Sequence, residues 1–500
     1  MSDHQHVPNP KRLALLCAAI LLSLFLAGCA AVPVPTQSHR IGRDDPSGHC
    51  ADFFDTLDRR VAEAQVIDPG AFRVNGHPYL RVNRFLASFG DVADVDTAAF
   101  DAWLDHMQAL DQTTRKHEIA NLPVTASGPT GEVLFDQVVA CGNLLRAVDF
   151  ETAEQRQTLR ERVTAPDEYI RPRRILGIYP VTRLFIAIGV SRWHARMHET
   201  FSNDAPPQRH SIRYLPATDD GQRSEPEALV ADAERDALGI PRFSEDQLDT
   251  LFRRHAPIWE VHTKGDDDRI GMPYWSADNA IAIDTGRPEA YTLLSHTRFR
   301  GQVLTQLNYI IWYPARPKVN ALDIYGGHLD GLNYRVTLDR NGQPLLYDSV
   351  HNCGCYYAAY PTQRLTARER IDYGEPPLIL KAPPEASEAQ LMTVSMESRT
   401  HFLMHFYPFA AGDADGAETV QYSLAPYERL RSLADHRGGH RSMFDPNSLA
   451  PGTERLERWL FWPTGVLSAG AMRQWGRHAV AFVGNRHFDD PFFMELMFVP

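Results

Sequence analysis

The stretch Tyr334-Arg-Val-Thr-Leu-Asp339, then Arg340, Asn341-Gly342 and Leu345-Leu-Tyr-Asp-Ser-Val350, constrains the fold more than any other. Its first segment alternates apolar and polar residues with the period of a β-strand. Asn-Gly supplies the backbone freedom of a tight turn, and a second strand-like run follows. The pattern predicts an antiparallel hairpin in one register, because a one-residue slip would turn every side chain to the wrong face. Gln306–Tyr313 reads as a buried strand, and QLMTVSMES followed by RTHFLMHFYPF as a further strand pair.

Upstream the period changes. Phe53, Phe54, Leu57, Val61 and Ala64 fall on a helical stripe, as do Phe100, Trp103, Leu104, Met107 and Leu110. A third helix is expected after Pro180, through RLFIAIGVSRWHARMHETF. The expected fold class is α+β, with a mainly helical domain at 49–201, a proline- and charge-rich connector at 202–245, and a β-rich domain with a mixed or antiparallel sheet at 246–500. The formal net charge of −12, without a basic stripe, argues against nucleic acid as a partner. P-loop, G-x-G-x-x-G and G-x-S-x-G patterns are absent from the sequence.

Lys11-Arg12 precedes the apolar run Leu13–Leu26, LALLCAAILLSLFL, and then Ala27-Gly28-Cys29. A basic flank, a short apolar stretch and small residues at the cut describe a secretory leader, expected at 1–28, with a tether at 29–48. Leu26-Ala27-Gly28-Cys29 resembles the lipobox of bacterial lipoproteins. The resemblance implies cleavage before Cys29 and its acylation with a diacylglyceryl group and an N-acyl chain such as palmitate. Two or more chains anchor stably in a membrane. Ala30 stands where an aspartate would favour retention in the inner membrane, so the same resemblance implies an outer-membrane protein facing the periplasm.

An exported chain meets an oxidising compartment. Cys50, Cys141, Cys353 and Cys355 remain beyond the leader, and the simplest pairing is Cys50 with Cys141 and Cys353 with Cys355. The second pair lies in Asp348-Ser-Val-His-Asn-Cys-Gly-Cys-Tyr-Tyr357, at the end of the hairpin. His328 and Asp330, in GGHLDG, enter that hairpin from its other strand and are carried to the same end. A disulfide across one residue would constrain little. Two further chemistries suit the cluster. His328, His351, Cys353 and Cys355 have ligand types for zinc, provided Gly354 bends the strand. Alternatively, Cys353 or Cys355 is a nucleophile, with His328 or His351 as base and Asp330 orienting the imidazole. His328, Ser349, Gly354 and Cys355 are similar to a pattern in L,D-transpeptidases, cysteine enzymes of the bacterial cell wall. The histidine expected just before Gly-Cys and an arginine after Cys355 are missing.

Other signals read more plainly. His194 and His198 share a helix face but lack the glutamate of metallopeptidase motifs. His401 and His405 are expected on one strand face, and His436 and His440 in a loop. Asp266-Asp-Asp-Arg-Ile-Gly271 fails the calcium-loop pattern and reads as a solvated turn. Trp459, Trp462 and Trp475 are expected to pack in a core, with a membrane-facing or glycan-stacking surface as the alternative. The function expected is a thiol- or metal-dependent hydrolase or acyl transferase acting on an envelope substrate. The rival is a non-catalytic scaffold or binding lipoprotein, with structural cysteines and a protein partner.

Overall fold

A computed structural model describes residues 38–91, 98–123, 130–202, 210–217, 226–369, 375–381, 386–387, 390–410 and 418–499. The leader, Cys29 and the tether up to residue 37 lie outside the described residues. The fold is mixed α+β.

Eleven strands build one large sheet: β1 Ser211–Pro216, β2 Ile258–His262, β3 Glu289–Phe299, β4 Gln302–Arg316, β5 Gly327–Leu338, β6 Pro344–His351, β7 Ala358–Pro361, β8 Leu378–Ile379, β9 Gln390–Met396, β10 Leu403–Ala410 and β11 Glu418–Pro426. Their spatial order is β8-β7-β6-β5-β4-β3-β11-β1-β2-β9-β10. The meander from β3 to β7 is antiparallel, whereas β11 slots between β3 and β1 and runs parallel to both. The expected hairpin is β5–β6, with Tyr334 opposite Ser349 and Val336 opposite Tyr347. Its tip is longer than a two-residue turn. Asp339 Oδ1 accepts from the amides of Asn341 and Gln343, and Gly342 takes the left-handed backbone, φ +77°, that closes it.

Both faces of β4 and β5 are covered, so the polar residues that alternate along β5, Asn333, Arg335 and Thr337, are buried as fully as its apolar ones. On one face Tyr309, Ile311, Tyr313, Leu332, Tyr334 and Val336 pack with Met197, Leu251 and Phe252 from overlying helices. On the other, Ile310 and Trp312 meet Phe444 and Met472 of the C-terminal segment. There Asp348, opposite Arg335 in the register, is held by its guanidinium at 2.8 and 2.5 Å.

The helical part comprises α1 Pro46–Glu63, α2 Ala98–Ala120, α3 Gly131–Asp149 and α4 Ala153–Arg162, around a small hairpin of Phe72–Val74 and His77–Val82. Phe54, Leu57, Val61, Trp103, Met107 and Leu145 form its core. Within it, Arg81 grips Glu118 at 2.8 Å and Asp111 at 3.1 Å, and Arg115 grips Asp58 and Asp111, each at 2.9 Å. Cys50 on α1 is bonded to Cys141 on α3, as the pairing argument expected. Because 91 residues separate the two cysteines, the crosslink removes much freedom from the unfolded chain. Cys50→Ala or Cys141→Ala is expected to cost about 2–5 kcal/mol. Urea unfolding with and without reductant measures this, and reductant should reproduce the substitution.

The segment expected as a connector, 202–245, contains β1, an inner strand of the sheet. Ile212 and Tyr214 point into the core, and Arg213 bonds Glu260 of β2 at 2.6 and 3.0 Å on the opposite side. Flanking prolines and charges masked this short alternation. The helix expected after Pro180, α5 Tyr179–Ser202, begins one residue before that proline, where the missing amide costs nothing.

Candidate functional site

Strand β6 ends at His351 in a closed turn. The His351 amide donates to Cys355 O at 3.0 Å, Gly354 N donates to His351 O at 2.7 Å, and Asn352 N donates to Gly331 O at 2.9 Å. Gly354 is at φ +87°, and a Cβ there would lie 2.5 Å from Ala479 O, so no other residue fits without displacing backbone. The turn brings the two thiols together. Both cysteines are reduced, with Cys353 2% and Cys355 9% exposed. The pairing expected between them is therefore corrected: backbone bonds already close the turn, and the sulfurs meet as hydrogen-bond partners. The Cys355 S–H donates to Cys353, which lowers the Cys353 pKa, while the same bond and burial raise Cys355 well above the usual thiol range. The two thiols titrate as a pair and share the proton that remains once the first is lost.

These thiols lie in the wall of a cavity of about 700 Å³. Its sides are mostly apolar, including Phe185, Ile186, Val190 and Trp193 of α5, and Leu460, Phe461 and Phe482 from the C-terminal segment. Its polar lining includes Arg316, Glu457 and Tyr356. Such a volume, largely greasy with a few convergent polar groups, is that of a small-molecule site. Arg316, at the end of β4, is 5% exposed, and its Nε and Nη1 have no hydrogen-bond partner among the described residues. Its guanidinium is instead framed by the rings of Tyr325, Tyr356 and Phe402, at 5.8, 5.6 and 5.3 Å. Burying donors without acceptors is costly, so the arrangement is suited to an anionic or carbonyl oxygen of a ligand. Burial pushes the Glu457 carboxyl up to about 7 against the charges of Arg455 and Arg316, placing it where it can exchange protons at neutral pH.

Behind this wall lies a buried ionic network. His401 Nδ1 donates to Asp330 Oδ2 at 2.9 Å, its Nε2 is 3.3 Å from Asp268, and its ring stacks on Tyr313 with centroids 3.9 Å apart. Arg455 reaches Asp330 at 3.3 Å and Leu329 O at 2.9 Å. Burial works against the Asp330 charge, yet Arg455 and the imidazole of His401 hold its carboxyl well below the usual range. Burial also works against the His401 charge, but Asp268 and Asp330 raise its pKa. His351 is 3.6 Å from Asp330, beyond a hydrogen bond, and burial lowers its pKa.

The structure thus divides the five residues expected to act together. Cys353 and Cys355 line the cavity, whereas Asp330 and His351 stand behind Tyr356 and Phe402, whose rings lie 5.2 and 5.6 Å from that of His351. His328 is exposed and its Nε2 donates to Ile281 O at 2.7 Å. Leu329 at φ +52° breaks the strand alternation, so Leu329 and Asp330 are both buried and His328 turns out. A zinc site of His328, His351, Cys353 and Cys355 does not assemble for this reason. Among the described residues no three His, Cys, Asp or Glu side chains gather in a metal-binding group. The His328–Cys355 pairing implied by the transpeptidase resemblance fails with it.

Asp268, expected in a solvated turn, is buried and joins the network. His401 precedes β10 and does not share its face with His405. His194 lines the cavity, its pKa lowered to about 4 by burial and by His198. Trp475 packs inside as expected, but Trp459 and Trp462 are exposed. Sequence reasoning missed Arg316 and Glu457. Arg316 closes an otherwise apolar strand, IIWYPAR, and a charge ending such a run is the signal that could have found it.

No protein-family model matches the chain, and no curated protein or solved structure is significantly similar to it.

Proposed function

We propose that the chain is an exported protein anchored through acyl chains on Cys29, facing the periplasm from the outer membrane, and that it hydrolyses or transfers acyl groups through a thiol. The observation that carries the catalytic part is the reduced Cys353–Cys355 pair in the wall of an apolar cavity that also holds Arg316 and Glu457. In this reading the Cys353 thiolate attacks the carbonyl carbon of an ester or thioester. The bond to the leaving group breaks, the leaving group takes a proton from water, and the acyl chain remains on sulfur. Water, or an acceptor hydroxyl or amine, then attacks the new thioester while Glu457 takes its proton, and the thiolate is released. Arg316 faces the oxygen on which negative charge develops. The apolar walls suit a long acyl chain.

Incubation with a long-chain acyl thioester, acid quenching and mass spectrometry test the proposal. An acyl adduct mapped to Cys353 is expected. A cavity filled with acyl chain but no adduct, even with a non-hydrolysable acylating analogue, would reject thiol chemistry. That outcome would favour a second reading, non-covalent acyl binding, which the burial of both sulfurs also suits.

A further inference from the structure

Helix α5 is built for two environments. Ile186, Val190, Trp193 and Met197 follow helical spacing on its inner side, where the first three line the cavity and Met197 enters the core. Val181, Leu184, Phe185 and Ile188 repeat the i, i+3, i+4, i+7 spacing on its outer side. These outer residues are exposed, Phe185 by 74% and Leu184 by 61%. The surface continues through Ile175, Leu176 and Ile178 before the helix, and through Leu456, Trp459, Leu460 and Trp462, all exposed. The two segments are joined where the Ile170 amide donates to Gly465 O at 2.8 Å. An exposed apolar area of this extent on a folded chain marks a binding surface.

Its charge identifies the partner. From Tyr169 to His198 there are six arginines, at 171, 173, 174, 183, 192 and 196, and no aspartate or glutamate, within a chain of net charge −12. Two neighbouring acids are engaged: Glu397 pairs with Arg196 at 2.6 Å, and Glu375 accepts from Tyr179 at 2.5 Å. Arginines interspersed with exposed Leu, Ile, Phe and Trp describe a surface that lies in the interface of an anionic bilayer. No described helix is long and apolar enough to cross one. Phe185 and Leu460 belong both to this exposed face and to the cavity lining. The cavity mouth therefore opens through the same surface.

We infer that the face formed by Arg171–Trp193 and Leu456–Trp462 docks on an anionic phospholipid bilayer, with Phe185 and Leu460 inserted and the cavity open to the lipid. The docking does not depend on thiol chemistry or on the anchor at Cys29. It gives the cavity an acyl-chain source that need not pass through water.

The test uses the full chain carrying Phe185→Trp, on vesicles of phosphatidylethanolamine and phosphatidylglycerol containing brominated acyl chains. Strong bromolipid quenching of the introduced indole, read as the difference from the unsubstituted chain with its eight tryptophans, is expected, and little of it on phosphatidylcholine alone. The further replacements R171E, R183E and R192E should weaken engagement on the order of a hundredfold and abolish the quenching, at about fivefold per arginine. Any N-terminal anchoring stays constant across these variants, and unfolding curves check that they remain folded. An indole on vesicle-bound protein that bromolipid does not quench and aqueous iodide does would overturn the inference. So would one shielded from both in a dimer, because the face would then pair with a second copy. Adduct formation at Cys353 is read separately in detergent, so loss of either result leaves the other standing.

Discussion

Cys353→Ser is expected to lower kcat/KM for a long-chain acyl thioester on the order of a thousandfold, the scale on which a nucleophile acts. A serine hydroxyl in this wall keeps the volume but has no ready anion. Cys355→Ala should cost roughly tenfold, because it removes the S–H donor that lowers the Cys353 pKa and so reduces the thiolate fraction. Cys355→Ser restores a donor and should recover part of that loss, which a merely structural role would not require. The rate should climb as pH rises through about 7, where Glu457 loses its proton and becomes able to accept one. Glu457→Gln should remove that limb of the profile. Equal turnover by wild type and Cys353→Ser would end the nucleophile assignment.

The β5–β6 hairpin and the β9–β10 pair were legible because alternation over six or more residues leaves few other folds for the backbone. Helices α1 and α2 declared themselves by the same logic at period 3.6. Strand β1 did not, since its neighbours in the sheet, β2 and β11, are far away in sequence and its flanks look like loop. The thiol turn was visible in Cys-Gly-Cys, but its partners were not. His328 was assigned to the cluster on strand periodicity, and one left-handed residue, Leu329, undoes that assignment. Arg316 and Glu457 reach the cavity from segments 141 residues apart, and no local pattern announces such a meeting. An acidic whole concealed a run from residue 169 to 198 that carries only positive charge, and composition averages such a run away.

Asp330→Asn is expected to destabilise the protein by about 3–5 kcal/mol, the usual result of removing one member of a buried ionic group. Asp330 is fully buried between His401 and Arg455, so an amide would leave two buried cations short of their counter-charge. The pH dependence follows from the direction of each shift. His401 has a raised folded pKa, so its stabilisation is complete below its ordinary value of 6.5 and is lost as pH rises through the higher folded value. Asp330 is depressed, so its contribution is present above the ordinary value of 3.8 and is lost only as pH falls through the lower folded value. His351 acts in the opposite sense to His401. It is held neutral by burial, and stability declines as pH falls below 6.5 because only the unfolded chain then takes the proton. The stability difference between wild type and Asp330→Asn should therefore be largest near pH 6 and shrink at alkaline pH, without vanishing, because Arg455 keeps its charge. Urea midpoints across that range measure it. A difference that stays flat from acid to alkaline pH would mean that His401 is not protonated in the folded protein, and that the network rests on Arg455 alone.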